Sequence, residues 1–319
     1  MPLLPPLKTM FEAQRAAPSL PIDMPPEALR EAMHAMIDQS FLALSEPYPL
    51  VEHERDWSVP VAGGVITVRI YRPAPEEAVL PCHVYYHGGG FFLGTLSQGD
   101  NICRALATEA NCVVASVDYR LAPEHRFPTA AEDAYAALCW VSDHATVLHI
   151  DPNRISVGGG SAGGNLAAVV SQMARDRYGP GIVAQVLEIP VTDFTSARAL
   201  DFAHENITIS SEKAYASIYL GDDADARDPR ASPLLATTLE GLPPALVMCA
   251  EYDQLQPEGE AYARRLADAG VATIYRLWPG QFHGSQGFDK IIQNEAAAYR
   301  SEITSFLRNA YSGVSANQG

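Results

Sequence analysis

Apolar positions along this chain keep two rhythms that alternate. Short β-branched runs at Cys82–Tyr86, Cys112–Val117, Ile155–Gly158, Ile182–Ile189, Ala245–Ala250 and Ala272–Leu277 read as buried strands. Between them, apolar residues recur every third or fourth position, which predicts helices over 98–110, 129–147, from Leu166 onward, 257–269 and 288–310. Strands alternating with helices of this length require right-handed crossovers and a mostly parallel sheet flanked by helices. Ahead of this series, Glu52–Val59 and Val65–Tyr71 alternate around Gly63-Gly64, the pattern of an antiparallel hairpin. A helix beginning at Pro25 places Leu29, Met33, Met36, Ile37, Phe41 and Leu44 at spacings of three and four. Periodicity alone leaves open whether that helix is an ordinary amphipathic one or a lid. Residues 1–24 are punctuated by proline and are expected to hug the surface. Between about 192 and 235 the rhythm breaks into an irregular polar stretch (192–209) and a short helix near 211–220, which reads as an insertion at the carboxyl edge of the sheet.

Composition narrows the classes. At 319 residues with 47% hydrophobic content, the chain has ample material for a core. A formal net charge of −16 argues against a nucleic-acid surface or a basic membrane face. No window has the apolar length of a membrane span, and the Pro-broken start lacks the basic region of a signal peptide, so a cytoplasmic protein is expected. The five cysteines form no C-x-x-C pair and read as free thiols. His34, His53, His83, His144 and His149 show no metal-ligand spacing, and no metal is expected.

The chemistry concentrates in Val157-Gly-Gly-Gly-Ser161-Ala-Gly-Gly-Asn165. A strand that turns sharply into a helix needs small residues where the backbones meet, and Gly159-x-Ser161-x-Gly163 then holds one hydroxyl at the tip, the arrangement of a nucleophile elbow. A phosphate loop is the competing reading, and the stretch lacks a Gly-Lys-Ser/Thr ending. In this architecture the partners follow the serine in the order acid, then base. His204 and His283 are the histidines downstream; His204 falls in the insertion, whereas His283 sits in Trp278–Gly284, a loop directly after a strand. Asp253, just after strand Ala245–Ala250, is the favoured acid over Glu251 and Glu258. Upstream, His87-Gly88-Gly89-Gly90 after an apolar strand can aim backbone N–H groups at a developing oxyanion, together with the N–H of Ala162. Glu188, inside the otherwise apolar Ala184–Pro190 run, is expected to be buried and to occupy space beside Gly160, bonding groups of the elbow or the oxyanion loop, the alternative being a strand-end glutamate that reaches solvent.

With Tyr85-Tyr86-His87-Gly-Gly-Gly90, Asp118-Tyr-Arg-Leu-Ala-Pro-Glu-His125, Phe127-Pro128, Glu132-Asp-Ala-Tyr135 and Ser161-Ala-Gly-Gly-Asn165, the chain resembles the hormone-sensitive-lipase-like esterases of the α/β-hydrolase superfamily from about residue 50 to its end. The resemblance implies a cofactor-free carboxylic ester hydrolase for short to medium acyl chains. Ser161 would be its nucleophile, Asp253 its acid and His283 its base. Gly89, Gly90 and Ala162 would be its oxyanion donors, with Gly88 shaping the loop. It also implies a helical cap from residues 1–45 and 192–225 over a core of residues 46–191 and 226–319. Phe91 and Phe92 are expected beside the oxyanion loop at the acyl pocket, with plain core packing as the alternative. Asp118, Arg120 and His125 would hold loops by hydrogen bonds. The expected partner is a small-molecule ester, with a homodimer left open. Amide, carbamate or lactone hydrolysis and a non-catalytic binding role are the alternatives. Three residues depart from the family pattern: Gly160 before the nucleophile, Gln254 after the acid and Ser285 after His283-Gly284.

Overall fold

The computed structural model describes residues 2–16, 25–75, 77–195, 216–222 and 225–315. Its centre is an eight-stranded sheet in the order β1-β2-β4-β3-β5-β6-β7-β8. The hairpin strands β1 (His53–Val61) and β2 (Gly64–Arg72) pair antiparallel, and β2 joins β4 (Val113–Asp118) antiparallel as well. From there the sheet is parallel through β3 (Leu80–Tyr86), β5 (Ile150–Gly160), β6 (Ala184–Glu188), β7 (Ala245–Tyr252) and β8 (Thr273–Phe282). Strands β3 and β6 are buried along their whole length, as expected of parallel strands covered on both faces.

Among the described residues, the helices that carry the crossovers and the N-terminal segment are α1 (Pro5–Ala16), α2 (Pro26–Leu44), α3 (Leu96–Ala110), α4 (Thr129–Asp143), α5 (Ala162–Asp176), α6 (Gln256–Asp268) and α7 (Gln293–Ser315). On one face, Val84, Val157, Leu187 and Val247 meet Ala134, Leu138, Leu166 and Val170 of α4 and α5. On the other, Tyr85, Val186, Leu246 and Met248 meet Cys103 and Leu106 of α3 and Tyr299, Ile303 and Leu307 of α7. Alternation along β6 therefore sends Leu187 to the first face and both Val186 and Glu188 to the second.

Several boundaries differ from the sequence expectation. The N-terminal segment does not merely lie on the surface: residues 5–16 are helical, with Pro5 and Pro6 in the first turn, where a missing N–H leaves no bond unmade. Leu7 is fully buried against Ile292 and Ala296. The last strand runs on to Phe282 rather than ending at Leu277. The last helix starts at Gln293, after a short 3-10 turn at Ser285–Gly287. Residues 216–219 are helical, while the rest of the short helix expected near 211–220, and nearly all of the polar stretch 192–209, lie outside the described residues. All five cysteines are free. Among the described residues no helix is long and apolar enough to cross a membrane.

Candidate active site

Strand β5 ends at Gly160 and α5 begins at Ala162, leaving Ser161 alone at the corner. Its backbone adopts φ 56° and ψ −115°, a region disfavoured for any side chain and costing about 1–3 kcal/mol. The surroundings enforce it: Ser161 N donates to the Glu188 carbonyl at 2.8 Å, and the Ser161 carbonyl accepts from Asn165 N at 3.0 Å. The Asn165 side-chain amide then ties the first turn of α5 to the Val191 and Ala231 carbonyls at 2.8 and 2.7 Å. Glycine is obligatory at 163, because a Cβ there would sit 1.9 Å from the Tyr86 carbonyl oxygen of β3. Gly158, Gly160 and Gly163 also satisfy the Gly-x-Gly-x-x-Gly spacing of a dinucleotide loop, so glycine spacing alone does not decide between the two readings. What decides is the position of the side chain of Ser161.

His283 follows β8 immediately, and its Nε2 lies 3.0 Å from Ser161 Oγ. Its Nδ1 lies 2.7 Å from Asp253 Oδ2, and Asp253 follows β7 immediately. The other carboxylate oxygen of Asp253 accepts from Leu255 N at 2.9 Å, so the acid is aimed before the imidazole arrives. The Asp253 side chain is 1% exposed and that of His283 31%, which leaves the serine side of the imidazole accessible to a ligand. The two rival acids are engaged elsewhere. Glu251 accepts from Gly280 N at 2.7 Å, and Glu258 accepts from Thr192 N and Asp193 N at 2.6 and 3.2 Å. His204 lies outside the described residues. A second histidine–serine pair, His83 Nδ1 and Ser156 Oγ at 2.8 Å, is sealed between β3 and β5 with Tyr311 on the serine at 2.6 Å. Burial pushes His83 down to about 3, so it stays neutral, and this pair braces the sheet.

The glycine loop after β3 folds back over the elbow. Gly89 sits at φ 122°, where a Cβ would lie 2.2 Å from the Leu93 carbonyl, so another residue could not take its place. Its carbonyl is turned inward to accept from Phe92 N and Leu93 N at 3.1 and 2.8 Å. Among the described residues, no loop carbonyl takes the N–H groups of Gly89, Gly90 or Ala162. Gly88 passes close to the elbow, where a Cβ would meet the Gly160 carbonyl at 2.9 Å. His87 anchors the loop: buried and stacked on Tyr119, its Nδ1 lies 2.8 Å from the Gly88 carbonyl, and burial pushes it down to about 4. From outside, α2 clamps the same loop. Arg30 Nε donates to the Phe92 carbonyl at 2.9 Å and its Nη2 to the Ala122 carbonyl at 2.5 Å, while the guanidinium pairs with Glu124. His34 Nε2 accepts from Gly94 N at 3.1 Å.

In the shared Asp118–His125 segment, Arg120 does hold loops, through a two-pronged bond to buried Asp133 at 2.7 and 2.8 Å and a bond to the Ala62 carbonyl. His125 corrects the expectation: it is exposed, and the bond it makes is from its backbone N–H to Leu121 O. Phe91 and Phe92 are both buried. Phe91 lines the site while stacked at 3.8 Å on Tyr219, and Phe92 lies under the Arg30 guanidinium.

A cavity of about 660 Å³ opens at Ser161, bounded by the glycine loop, Ile37 of α2, Tyr85, Phe282 and Tyr299. The three departures from the family pattern resolve locally. Nothing lies within 4 Å of the place a Gly160 side chain would fill. Gln254 lines the cavity, and Ser285 is buried with its Oγ accepting from Phe282 N at 3.2 Å. Glu188 is 4% exposed and shares the face of Gly160 as expected, in register with it, but its carboxyl neighbours the Tyr299 hydroxyl rather than the elbow, which it serves through its backbone carbonyl.

This arrangement is that of a serine hydrolase built on an α/β sheet, and comparison with known proteins agrees. A profile of the α/β-hydrolase fold matches residues 83–287. The carboxylic ester hydrolase LipN of Mycobacterium tuberculosis is 44% identical over 268 residues, 81% of this chain and 71% of its own. An arylesterase of Saccharolobus solfataricus is 36% identical, covering 77% of this chain and 81% of its own. The structure of a hyperthermophilic esterase from the archaeon Pyrobaculum calidifontis superposes with a TM-score of 0.86 at 39% identity, covering 97% of this chain and 99% of that one. The chain belongs to the hormone-sensitive-lipase-like family of the α/β-hydrolase superfamily.

Proposed function

We propose that this chain is a carboxylic ester hydrolase that works through an acyl-enzyme on Ser161. The observation that carries the reading is the unbroken chain of bonds from Ser161 Oγ to His283 and on to buried Asp253. Ser161 Oγ attacks the ester carbonyl as His283 Nε2 takes its proton, and Asp253 fixes the tautomer and steadies the imidazolium. The carbonyl oxygen becomes an oxyanion against the N–H groups of Gly89, Gly90 and Ala162, the last at the positive end of α5. His283 returns the proton to the departing alcohol. Water, deprotonated by the same nitrogen, then releases the acid and restores Ser161. Segments 1–45 and 192–225 act as a cap; the clamp of α2 on the glycine loop and Ile37 in the cavity wall support this for the first segment. Names of relatives that act on esters support the substrate class. The test is labelling with a fluorophosphonate, mapping the modified residue, and turnover of a nitrophenyl ester series from acetate upward. A label on Ser161 with hydrolysis that Ser161→Ala abolishes is expected, and labelling elsewhere or undiminished turnover would overturn the assignment.

A further inference from the structure

Glu188 has no part in the acyl-transfer scheme, yet it borders the reaction cavity. It stands at the end of β6, opposite Gly160 in the parallel register, with one strand spacing of about 4.8 Å between their backbones. Its side chain faces the side of the sheet covered by α3 and α7, among Tyr85, Cys103 and Tyr299. A carboxyl so placed is expensive to bury without compensation. Burial pushes it up to about 7, and the one neighbour countering that is the Tyr299 hydroxyl. Tyr299 is 2% exposed, also borders the cavity, and its hydroxyl completes no hydrogen bond of normal geometry. A carboxyl and a phenol that no hydrogen bond of normal geometry ties together therefore stand side by side at the wall of the cavity, which Gly160, with nothing within 4 Å of the place of a side chain, also lines.

A hydroxyl group is the ligand chemistry that satisfies both: it donates to the carboxyl and accepts from the phenol. A purely apolar arm would instead strip residual water from Glu188 and give nothing back. We propose that Glu188 and Tyr299 form a specificity site that selects esters carrying a hydroxyl on the arm lodged beneath Gly160. The site accepts hydroxyalkyl substrates in preference to the plain alkyl chains that fit the same volume. This rests on the ester-hydrolase reading for the identity of the substrate, and the two can fail separately.

The experiment measures binding first and turnover second. Calorimetry on Ser161→Ala compares methyl hexanoate with its 3-hydroxy and 6-hydroxy derivatives, and hexyl butyrate with the butyrate monoester of hexanediol, so that both arms are sampled. In at least one series the hydroxylated ester should bind about tenfold tighter, the worth of two neutral hydrogen bonds made away from water. Adding Glu188→Leu should reverse the order, weakening the hydroxylated ester and tightening the plain one. Tyr299→Phe should remove part of the preference, and Glu188→Gln, which keeps shape and hydrogen bonding, should retain most of it. A purely structural Glu188 would weaken both esters alike. Equal binding within both series, or a preference that survives Glu188→Leu and Tyr299→Phe, overturns the proposal. Absence of ester turnover by the protein with Ser161 intact, while the hydroxyl preference in binding holds, would instead count against the hydrolase reading.

Discussion

Replacing Glu188 by glutamine should change how stability depends on pH. The carboxyl titrates near 4.5 when unfolded and is pushed up to about 7 by burial in the fold, among Tyr85, Cys103 and Tyr299. A carboxyl with a raised folded value holds its proton more tightly in the native state. Its contribution is therefore fully present below pH 4.5 and is lost as pH rises through 7. By linkage the loss is about 1 kcal/mol at pH 5.5 and about 3 kcal/mol at pH 8.5. Glutamine fills the same space without a charge to desolvate, so the difference in unfolding free energy between Glu188→Gln and the parent should move in favour of the variant by about 2 kcal/mol across that interval. Urea melts of both proteins at pH 5.5, 7 and 8.5, with matched m-values, measure it directly. Curves that stay parallel would refute the reasoning, since they would mean that Glu188 keeps its ordinary affinity for protons in the folded protein.

Further expectations concern the machinery. Ser161→Ala should lower kcat by roughly 10⁴-fold or more at unchanged fold, read by steady-state kinetics beside circular dichroism. Asp253→Asn should cost roughly 10³–10⁴-fold in kcat, because the imidazole then loses its fixed tautomer; a loss under tenfold would remove Asp253 from its role. Arg30→Ala severs α2 from the carbonyls of Phe92 and Ala122 and should lower kcat for long and short esters together, through a loosened oxyanion loop; a rise in KM alone would mean that Arg30 serves only the cap. Leu7→Ala, at a fully buried position against α7, should destabilise by about 2–4 kcal/mol in urea melts.

Where a single physical requirement fixes the residue type, the sequence is legible. Gly163 has to be glycine because the Tyr86 carbonyl occupies the space of a side chain, and Gly89 because of its positive φ and the Leu93 carbonyl. The parallel strands show as unbroken apolar runs because both faces are covered. Asp253 and His283 are legible as candidates because groups beyond the carboxyl ends of parallel strands gather at one edge of the sheet, and the structure brings both to Ser161. What sequence order could not supply is which neighbour a side chain meets across the fold. Glu258, five residues beyond Asp253, ranks below it in the chain because it falls within a helix, but what it does instead, bonding the N–H groups of residues 192–193, only the packing of α6 reveals. By residue type His125 is as fit to tie loops as Arg120, yet Arg120 is the one of the two that bonds a buried carboxylate among the described residues. The N-terminal helix escapes a reading that treats proline as a breaker, since Pro5 and Pro6 fall in the one turn where proline costs no bond.

Glu188 shows both limits together. Its burial follows from an apolar run, and its face follows from strand register, so each is predictable from local pattern. Its partner is contributed by α7, more than a hundred residues away, and that choice decides its chemistry. Had the carboxyl bonded the elbow, it would have been a brace for Ser161. Beside the Tyr299 phenol at the edge of the cavity, it presents an acceptor to whatever enters. The elbow draws its support from the backbone carbonyl of the same residue, which any side chain would provide equally well. The side chain at 188 is thus released from the nucleophile's geometry, and a change there can alter what the cavity admits while leaving the position of Ser161 to the main chain.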